Sequence, residues 1–145
     1  MIYNEVKQDL FTVSDDYFLA HCISSDFVMG AGIAVPFDRK FNLKYQFNQI
    51  KKKNPSLLAH PTCIRLDRVL NLITKKNVWE KPTYDTMTGA LEKMKKICLD
   101  EEIKKIAMPK IGCGIDGLDW AKVSEIIKEI FADMEIEILI CYIDE

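Results

Sequence analysis

A chain of 145 residues is the size of one domain and is long enough to bury a substantial core. With 48% apolar and 29% charged residues it has the composition of a soluble globular protein, and no apolar run approaches the roughly 18 residues of a membrane span. A formal net charge of −2 excludes a global electrostatic pull on nucleic acid, so any such binding needs a local patch. The five cysteines, at positions 22, 63, 98, 113 and 141, are scattered and odd in number. They imply reduced thiols and, with a charged N-terminus that lacks a signal peptide's apolar region, a cytoplasmic protein. Two histidines and no Cys-x-x-Cys pair argue against a structural zinc site. No metal or cofactor is expected.

Along the chain, short β-rich runs alternate with helical ones. Residues 2–6 and 17–23 read as strands, the second apolar nearly throughout, as a strand buried on both faces should be. Residues 33–41 follow a Gly-rich turn and look helical, and the pattern continues with Leu43, Phe47 and Ile50 on one face until Asn54-Pro55 ends it. Residues 62–66 and 69–74 flank Asp67-Arg68 and form a hairpin, although that pair is not a favoured turn. Thr83 caps a helix with Met87, Leu91, Met94 and Ile97 or Cys98 inward. Residues 103–108 are a strand. Asp119 caps a further helix with Trp120, Val123, Ile127, Ile130 and Phe131 inward, and residues 135–143 are the last strand. The expectation is one layered α/β domain spanning residues 1–145, with a mixed sheet.

Three of the six glycines, Gly112, Gly114 and Gly117, crowd the segment AMPKIGCGIDGLDW, between a strand and a helix. Such clustering requires either positive φ or a ligand lying against bare backbone. A strand, a Gly-rich turn and a helix N-terminus together make an anion site, and in open α/β sheets ligands gather at the carboxyl ends of strands. A tight turn needing glycine for geometry alone is the plainer explanation. The segment HCISSDFVMGAGIAVPF repeats the design, with Ser24, Ser25 and Asp26 leading into Met29-Gly30-Ala31-Gly32. Two such loops suit an extended diphosphate better than a single phosphate. Neither matches the G-x-x-x-x-G-K-[ST] pattern of a nucleotide-hydrolysing loop.

Thr74, Lys75 and Lys76 close an apolar strand. A lysine pair there is commonly a solvated edge. Against apolar walls one of them becomes a candidate amine nucleophile. Strand alternation sends neighbours to opposite faces, so only one lysine can enter a shared pocket. His21 reads as a satisfied core residue and Cys113 as a small loop residue, not a nucleophile. Cys22 flanks the same place. Trp79 and Tyr84 bracket EKPT and fit core packing better than stacking on a base. Lys51, Lys52 and Lys53 end a helix as a solvated face complementing its dipole.

The segments HCIS-x-D-x-x-MGAGIA-x-x-F, LITKK followed by KPTY, and MPKIGCGIDGL-x-W, in that order, resemble the macrodomain family, specifically its terminal ADP-ribose protein glycohydrolase class. The resemblance runs from Lys7-Gln8-Asp9-Leu10 to the last strand. It implies a three-layer α/β/α fold with a mixed central sheet and ADP-ribose as ligand. By the same resemblance Lys75 is the catalytic lysine, attacking the distal ribose to give a covalent lysyl–ADP-ribose intermediate, and Asp116 is the acid/base that resolves it with water. Gly112, Cys113, Gly114 and Ile115 wrap the diphosphate, Gly30, Ala31 and Gly32 lie near the distal ribose and phosphate, and Ser24 lines the same pocket. Asp9 marks the adenine end, with Gln8 standing where the family commonly has glycine. Leu10, Met29, Ile33, Thr74, Pro109 and Ile111 belong to the same ADP-ribose-binding set.

The physics matches that division of labour. An amine attacks only when neutral, and a base within hydrogen-bond reach can take its proton. If Lys75 and Asp116 rest as an ion pair, the transfer waits for substrate. The first hypothesis is therefore a hydrolase that removes mono-ADP-ribose from acidic side chains of proteins and also deacylates O-acetyl-ADP-ribose. ADP-ribosylated DNA or RNA is the alternative substrate, as in the similar antitoxin macrodomains that strip ADP-ribose from thymidine. The second hypothesis is a non-catalytic ADP-ribose reader, which needs the glycine loops but no reactive amine. A phosphate-loop fold serving assembly alone is the third. The expected partners are ADP-ribose and ADP-ribosylated protein, with no membrane, and a monomer is expected.

Overall fold

The structure is a computed structural model and describes residues 1–143. Strands β1 (Ile2–Lys7), β2 (Phe18–Ser24), β3 (Thr62–Leu66), β4 (Val69–Lys75), β5 (Lys105–Met108) and β6 (Glu137–Tyr142) form a six-stranded sheet in the order β1-β6-β5-β2-β4-β3. Every neighbouring pair is parallel except β3 and β4, a hairpin at one edge. The sheet is mixed, as the sequence led one to expect. Helices α1 (Ala34–Phe41) and α2 (Leu43–Lys53) pack on one face, and α3 (Tyr84–Asp100) and α4 (Trp120–Phe131) on the other. The result is a three-layer α/β/α domain.

The near-continuous apolar runs of β2 and β4 follow from this layering. Successive side chains point to opposite faces, so a strand covered on both sides must be apolar at every position. Ala20, Leu70 and Leu72 join the core under α3 and α4. Leu19, Ile23, Val69 and Ile73 join the core under α1 and α2. His21 and Asn71 are the polar exceptions in the middle of these strands, and they meet each other.

Both expected caps are present. Thr83 and Thr86 exchange backbone-to-hydroxyl hydrogen bonds of 3.0 Å each, a reciprocal capping box that starts α3. Asp119 accepts from the Ala121 N–H at 3.1 Å to start α4.

Some boundaries differ from the sequence reading. The helical pattern through Phe41 and Leu43 is two helices, because Asn42 takes a left-handed conformation (φ 54°) that asparagine tolerates and most residues do not. Strand β5 starts at Lys105, not at residue 103. Glu102 has φ 55° and the Ile103 N–H turns back to the Cys98 carbonyl at 2.9 Å, so these residues finish α3. Strand β6 begins at Glu137, two residues later than the pattern suggested. Trp120 is half-buried, not fully inward, and its indole N–H donates to Glu5 at 3.0 Å.

Candidate active site

The carboxyl ends of the parallel strands converge on one edge of the sheet, and two adjoining cavities open there. The first, about 350 Å³, is lined by Cys22, Ile23 and Ser24 from the end of β2, by Lys75 and Val78 from the end of β4, and by both glycine loops. Its polar centre is a direct ion pair. Lys75 Nζ donates to Asp116 Oδ1 at 2.7 Å and to the Val78 carbonyl at 3.1 Å. The two side chains are only 11% and 17% exposed. The ammonium is turned into the cavity, away from bulk solvent.

A register shift brings Lys75 there. Strands β2 and β4 pair residue for residue from Leu19–Val69 to Ile23–Ile73, and the next pair is Ser24–Lys75. Thr74 is skipped. Paired residues share a face, so the bulge sets Lys75 beside Ser24, where plain alternation would have put it with Ile73. The Ser25 N–H then donates to the Lys75 carbonyl at 2.9 Å, extending the pairing past the strand end.

The second cavity, about 740 Å³, shares Ile33, Pro109, Lys110 and Gly114 with the first and continues toward Asp9, Leu10, Phe11, Cys113 and Tyr142. Asp9 Oδ1 accepts the Phe11 N–H at 2.9 Å, which fixes the short turn after β1. The cavities form one elongated cleft, with the Lys75–Asp116 pair at one end and Asp9 at the other.

The glycines divide into two kinds. Gly32, Gly112 and Gly117 have φ of 62°, 73° and 75°, and a Cβ on Gly112 would come within 2.6 Å of Met87 Cε. Their backbone geometry accounts for them. Gly30 and Gly114 lack positive φ, and a Cβ on either meets nothing within 4 Å. No contact among the described residues requires glycine at these two positions. Open space over bare backbone at Gly114, on the wall both cavities share, is what an extended ligand needs.

The sequence profile of the Macro domain family matches residues 20–127. The chain is 42% identical over 135 residues to a human protein named ADP-ribose glycohydrolase OARD1, covering 93% of this chain and 88% of that one. This chain belongs to the macro domain family. In shape it is similar to the macrodomain of Thermus aquaticus DarG, with a TM-score of 0.84, 22% identity and 97% of each chain covered. It is also similar to Thermosipho africanus DarTG in complex with ADP-ribose, with a TM-score of 0.80 and 21% identity, covering 97% of this chain and 41% of that one.

Most of the expected site residues meet in this macro domain's cleft. Ser24, Ala31, Gly32, Ile33, Lys75, Pro109, Ile111, Gly112, Gly114, Ile115 and Asp116 line the first cavity, and Asp9, Leu10 and Cys113 the second. Thr74 and Met29 do not. They are 1% and 2% exposed, Met29 inside the core beneath α1 and α2 and Thr74 turned inward by the bulge, its hydroxyl without a hydrogen-bond partner among the described residues. Gly30 is exposed and lies outside both linings. Sequence reasoning overlooked Val28, Val78 and Lys110 in the first cavity and Tyr142 in the second: Lys110 stands inside MPKIGCGIDGL without a role assigned to it, Val28 fills an unspecified position of its motif, and Val78 and Tyr142 reach the cleft through the fold.

The KPTY segment proves to be a brace for the second glycine loop, the one that follows β5. Lys81 donates to the Ile115 carbonyl, Thr83 caps α3, and the Tyr84 hydroxyl accepts the Asp119 N–H at 3.0 Å. Trp79, expected in the core, is 75% exposed next to Val78. The cysteines near the cleft are held as thiols. Burial pushes Cys113 up to about 11 and Cys22 further still, so neither offers a ready thiolate.

Proposed function

We propose that this macro domain is an ADP-ribosyl glycohydrolase that removes mono-ADP-ribose from acidic side chains of proteins through a covalent lysyl–ADP-ribose intermediate. The sheltered Lys75–Asp116 pair carries the reading: a 2.7 Å contact lining a cleft whose shared wall offers bare glycine backbone. A reader needs the glycines but gains nothing from an amine and a carboxylate facing the same space. The names of the human relative and of the DarTG complex support ADP-ribose as the ligand.

In this reading the diphosphate lies along Gly112, Cys113 and Gly114, the adenosine extends toward Asp9, and the distal ribose reaches Lys75. Asp116 takes a proton from the Lys75 ammonium. The freed amine attacks the anomeric carbon; a C–N bond forms as the C–O bond to the modified carboxylate breaks, and the carboxylate leaves with the electron pair. Asp116 first gives up its proton to solvent. It then takes one from the water that adds to the same carbon and, as the C–N bond breaks, passes it to the departing amine, restoring the Lys75 ammonium. Free ADP-ribose, the carboxylate and one solvent proton are the products. The same cavity accommodates the acyl group of O-acetyl-ADP-ribose.

Intact-mass measurement tests this directly. Incubation with protein ADP-ribosylated on glutamate should give an ADP-ribose adduct on Lys75, formed more slowly in Asp116→Ala but longer-lived there because the step that resolves it is lost, and Lys75→Ala should lose both adduct and turnover. In Asp116→Asn the pH–rate profile should lose one titration step. No adduct in wild type or Asp116→Ala, with ADP-ribose still bound, would leave a reader.

One observation favours a second reading, in which the ADP-ribose is carried on nucleic acid. From Arg39 to Leu66 the chain has seven Lys and Arg and no Asp or Glu. Lys51 of this stretch lines a shallow groove together with Lys76 and Ser25, and Ser25 adjoins Ser24 of the first cavity. A local basic patch on an acidic chain suits a phosphate backbone. Replacing Lys51, Lys52 and Lys53 with glutamate should then lower kcat/KM on ADP-ribosylated DNA about ten-fold at low salt while sparing the protein substrate. Equal effects on the two substrates would dismiss nucleic acid.

A further inference from the structure

Asp26 sits in the motif HCIS-x-D, yet neither the cleft lining nor the proposed chemistry uses it. Its contacts are specific. Oδ2 accepts the Val78 N–H at 2.8 Å, across 52 residues of sequence. Oδ1 accepts the Val28 N–H at 3.2 Å and the Ser24 hydroxyl. Its own N–H donates to the Lys76 carbonyl at 3.1 Å. One residue therefore ties the loop after β2 to the loop after β4 through both its backbone and its side chain.

The tie reaches the ion pair in one further step. Val78, which Asp26 holds by its N–H, presents on its following peptide the carbonyl that accepts Lys75 Nζ at 3.1 Å. We infer that Asp26 is a positioning residue: through Val78 it sets where the Lys75 amine stands relative to Asp116. This inference rests on the glycohydrolase reading above for its kinetic consequence, though not for its geometry. A lysine side chain has four rotatable bonds, so a single ion pair leaves its nitrogen free to swing about the carboxylate. A second anchor on a fixed peptide removes that freedom, and misplacement by about 1 Å can cost a reaction roughly a hundred-fold.

A carboxylate suits the role better than an amide. It offers acceptors on both oxygens, and three donors point at it, whereas asparagine would turn an NH2 toward one of them. Burial alone would raise this carboxyl, but the Ser24 hydroxyl and the Val78 and Val28 N–H groups outweigh it and hold Asp26 below the ordinary aspartate range. Asp26 therefore keeps its acceptors free of a proton across neutral pH. Val28 and Val78, the two residues it grips, are exposed apolar side chains on the cavity lining, so the same clasp shapes the mouth that a modified side chain enters.

The test is Asp26→Asn, read three ways. Turnover of the ADP-ribosylated protein should fall between about ten- and a hundred-fold in kcat. Free ADP-ribose should bind within about three-fold of wild type, because the diphosphate and adenine contacts lie elsewhere. Modification of Lys75 by an amine-reactive ester, followed by mass spectrometry without substrate, should accelerate several-fold relative to Lys93 and Lys104. Wild-type kcat and Lys75 labelling in a folded Asp26→Asn protein would overturn the inference, as would a loss confined to ADP-ribose affinity. If wild type itself neither turns over substrate nor forms the adduct, the glycohydrolase reading fails, and the labelling comparison alone decides the positioning claim. If Asp26→Asn does not fold, amide exchange in wild type decides. Val78 should be protected although its side chain is exposed, and exchange at the unprotected rate would overturn the clasp.

Discussion

His21 stacks on Phe37 with ring centroids 3.9 Å apart, and its Nε2 lies 2.6 Å from Asn71 Oδ1. Asn71 spends its amide on the Ile64 carbonyl at 3.0 Å, so the imidazole is the donor and Nδ1 is left without a partner among the described residues. Full burial lowers this histidine to about 4, against the Asn71 hydrogen bond, which works the other way. The folded state therefore resists a proton that the unfolded chain takes up below about 6.5. Stability is complete above that pH and drains away as pH falls toward 4. At roughly 1.4 kcal/mol per unit, the loss is about 3 kcal/mol. Urea unfolding of wild type at pH 7.5, 6, 5 and 4 should reveal this slope, and His21→Leu should flatten it even though the variant is weaker at pH 7.5. The sequence reading of His21 as a core residue is correct in place; its one orphaned nitrogen comes from the packing around it. Thr74 makes the same point at the site. Nothing in LITKK marks it as the skipped residue, because a bulge is a relation between two strands.

The elements that build the site are strand ends joined to helix starts, and each glycine loop has its own brace. In the second loop the Leu118 N–H closes on the Gly112 carbonyl at 2.8 Å, with Lys81 and Tyr84 holding it from the start of α3. The two sorts of glycine predict opposite outcomes. Gly112→Ala forces a side chain into a positive φ and against Met87 and Leu118, and should cost about 2–3 kcal/mol in unfolding measurements. Gly114→Ala should leave stability within about 0.5 kcal/mol of wild type, or raise it slightly. It should weaken ADP-ribose binding about ten-fold or more by calorimetry, because the methyl group fills space reserved for the ligand. Unchanged affinity in Gly114→Ala would remove the diphosphate from that wall. Motif, turn and cap were readable within these segments. The braces were not, since KPTY and the loop it supports lie about thirty residues apart.

Over the whole molecule, one edge of the sheet gathers everything chemical. Strands β1, β2, β4, β5 and β6 run parallel, so their carboxyl ends lie together, and each delivers a segment of the cleft. A ligand spanning both cavities touches loops from all five strands and so stabilises the domain as a unit. ADP-ribose at a hundred times its Kd should add about 2.7 kcal/mol, raising the melting temperature by roughly 5–10 °C. AMP, filling the Asp9 end alone, should at equal concentration do less, and an equal shift would contradict an extended mode of binding. The sequence by itself determined the layered fold, the alternation of strands and helices, both helix caps and the two glycine loops. These are properties of local periodicity and turn chemistry, written within a dozen residues. Only the tertiary structure decided that Lys75, and not its neighbour, meets Asp116. That depends on the pairing of β2 with β4 and on the loop after β5 folding back over it, two long-range contacts that no short stretch of chain encodes.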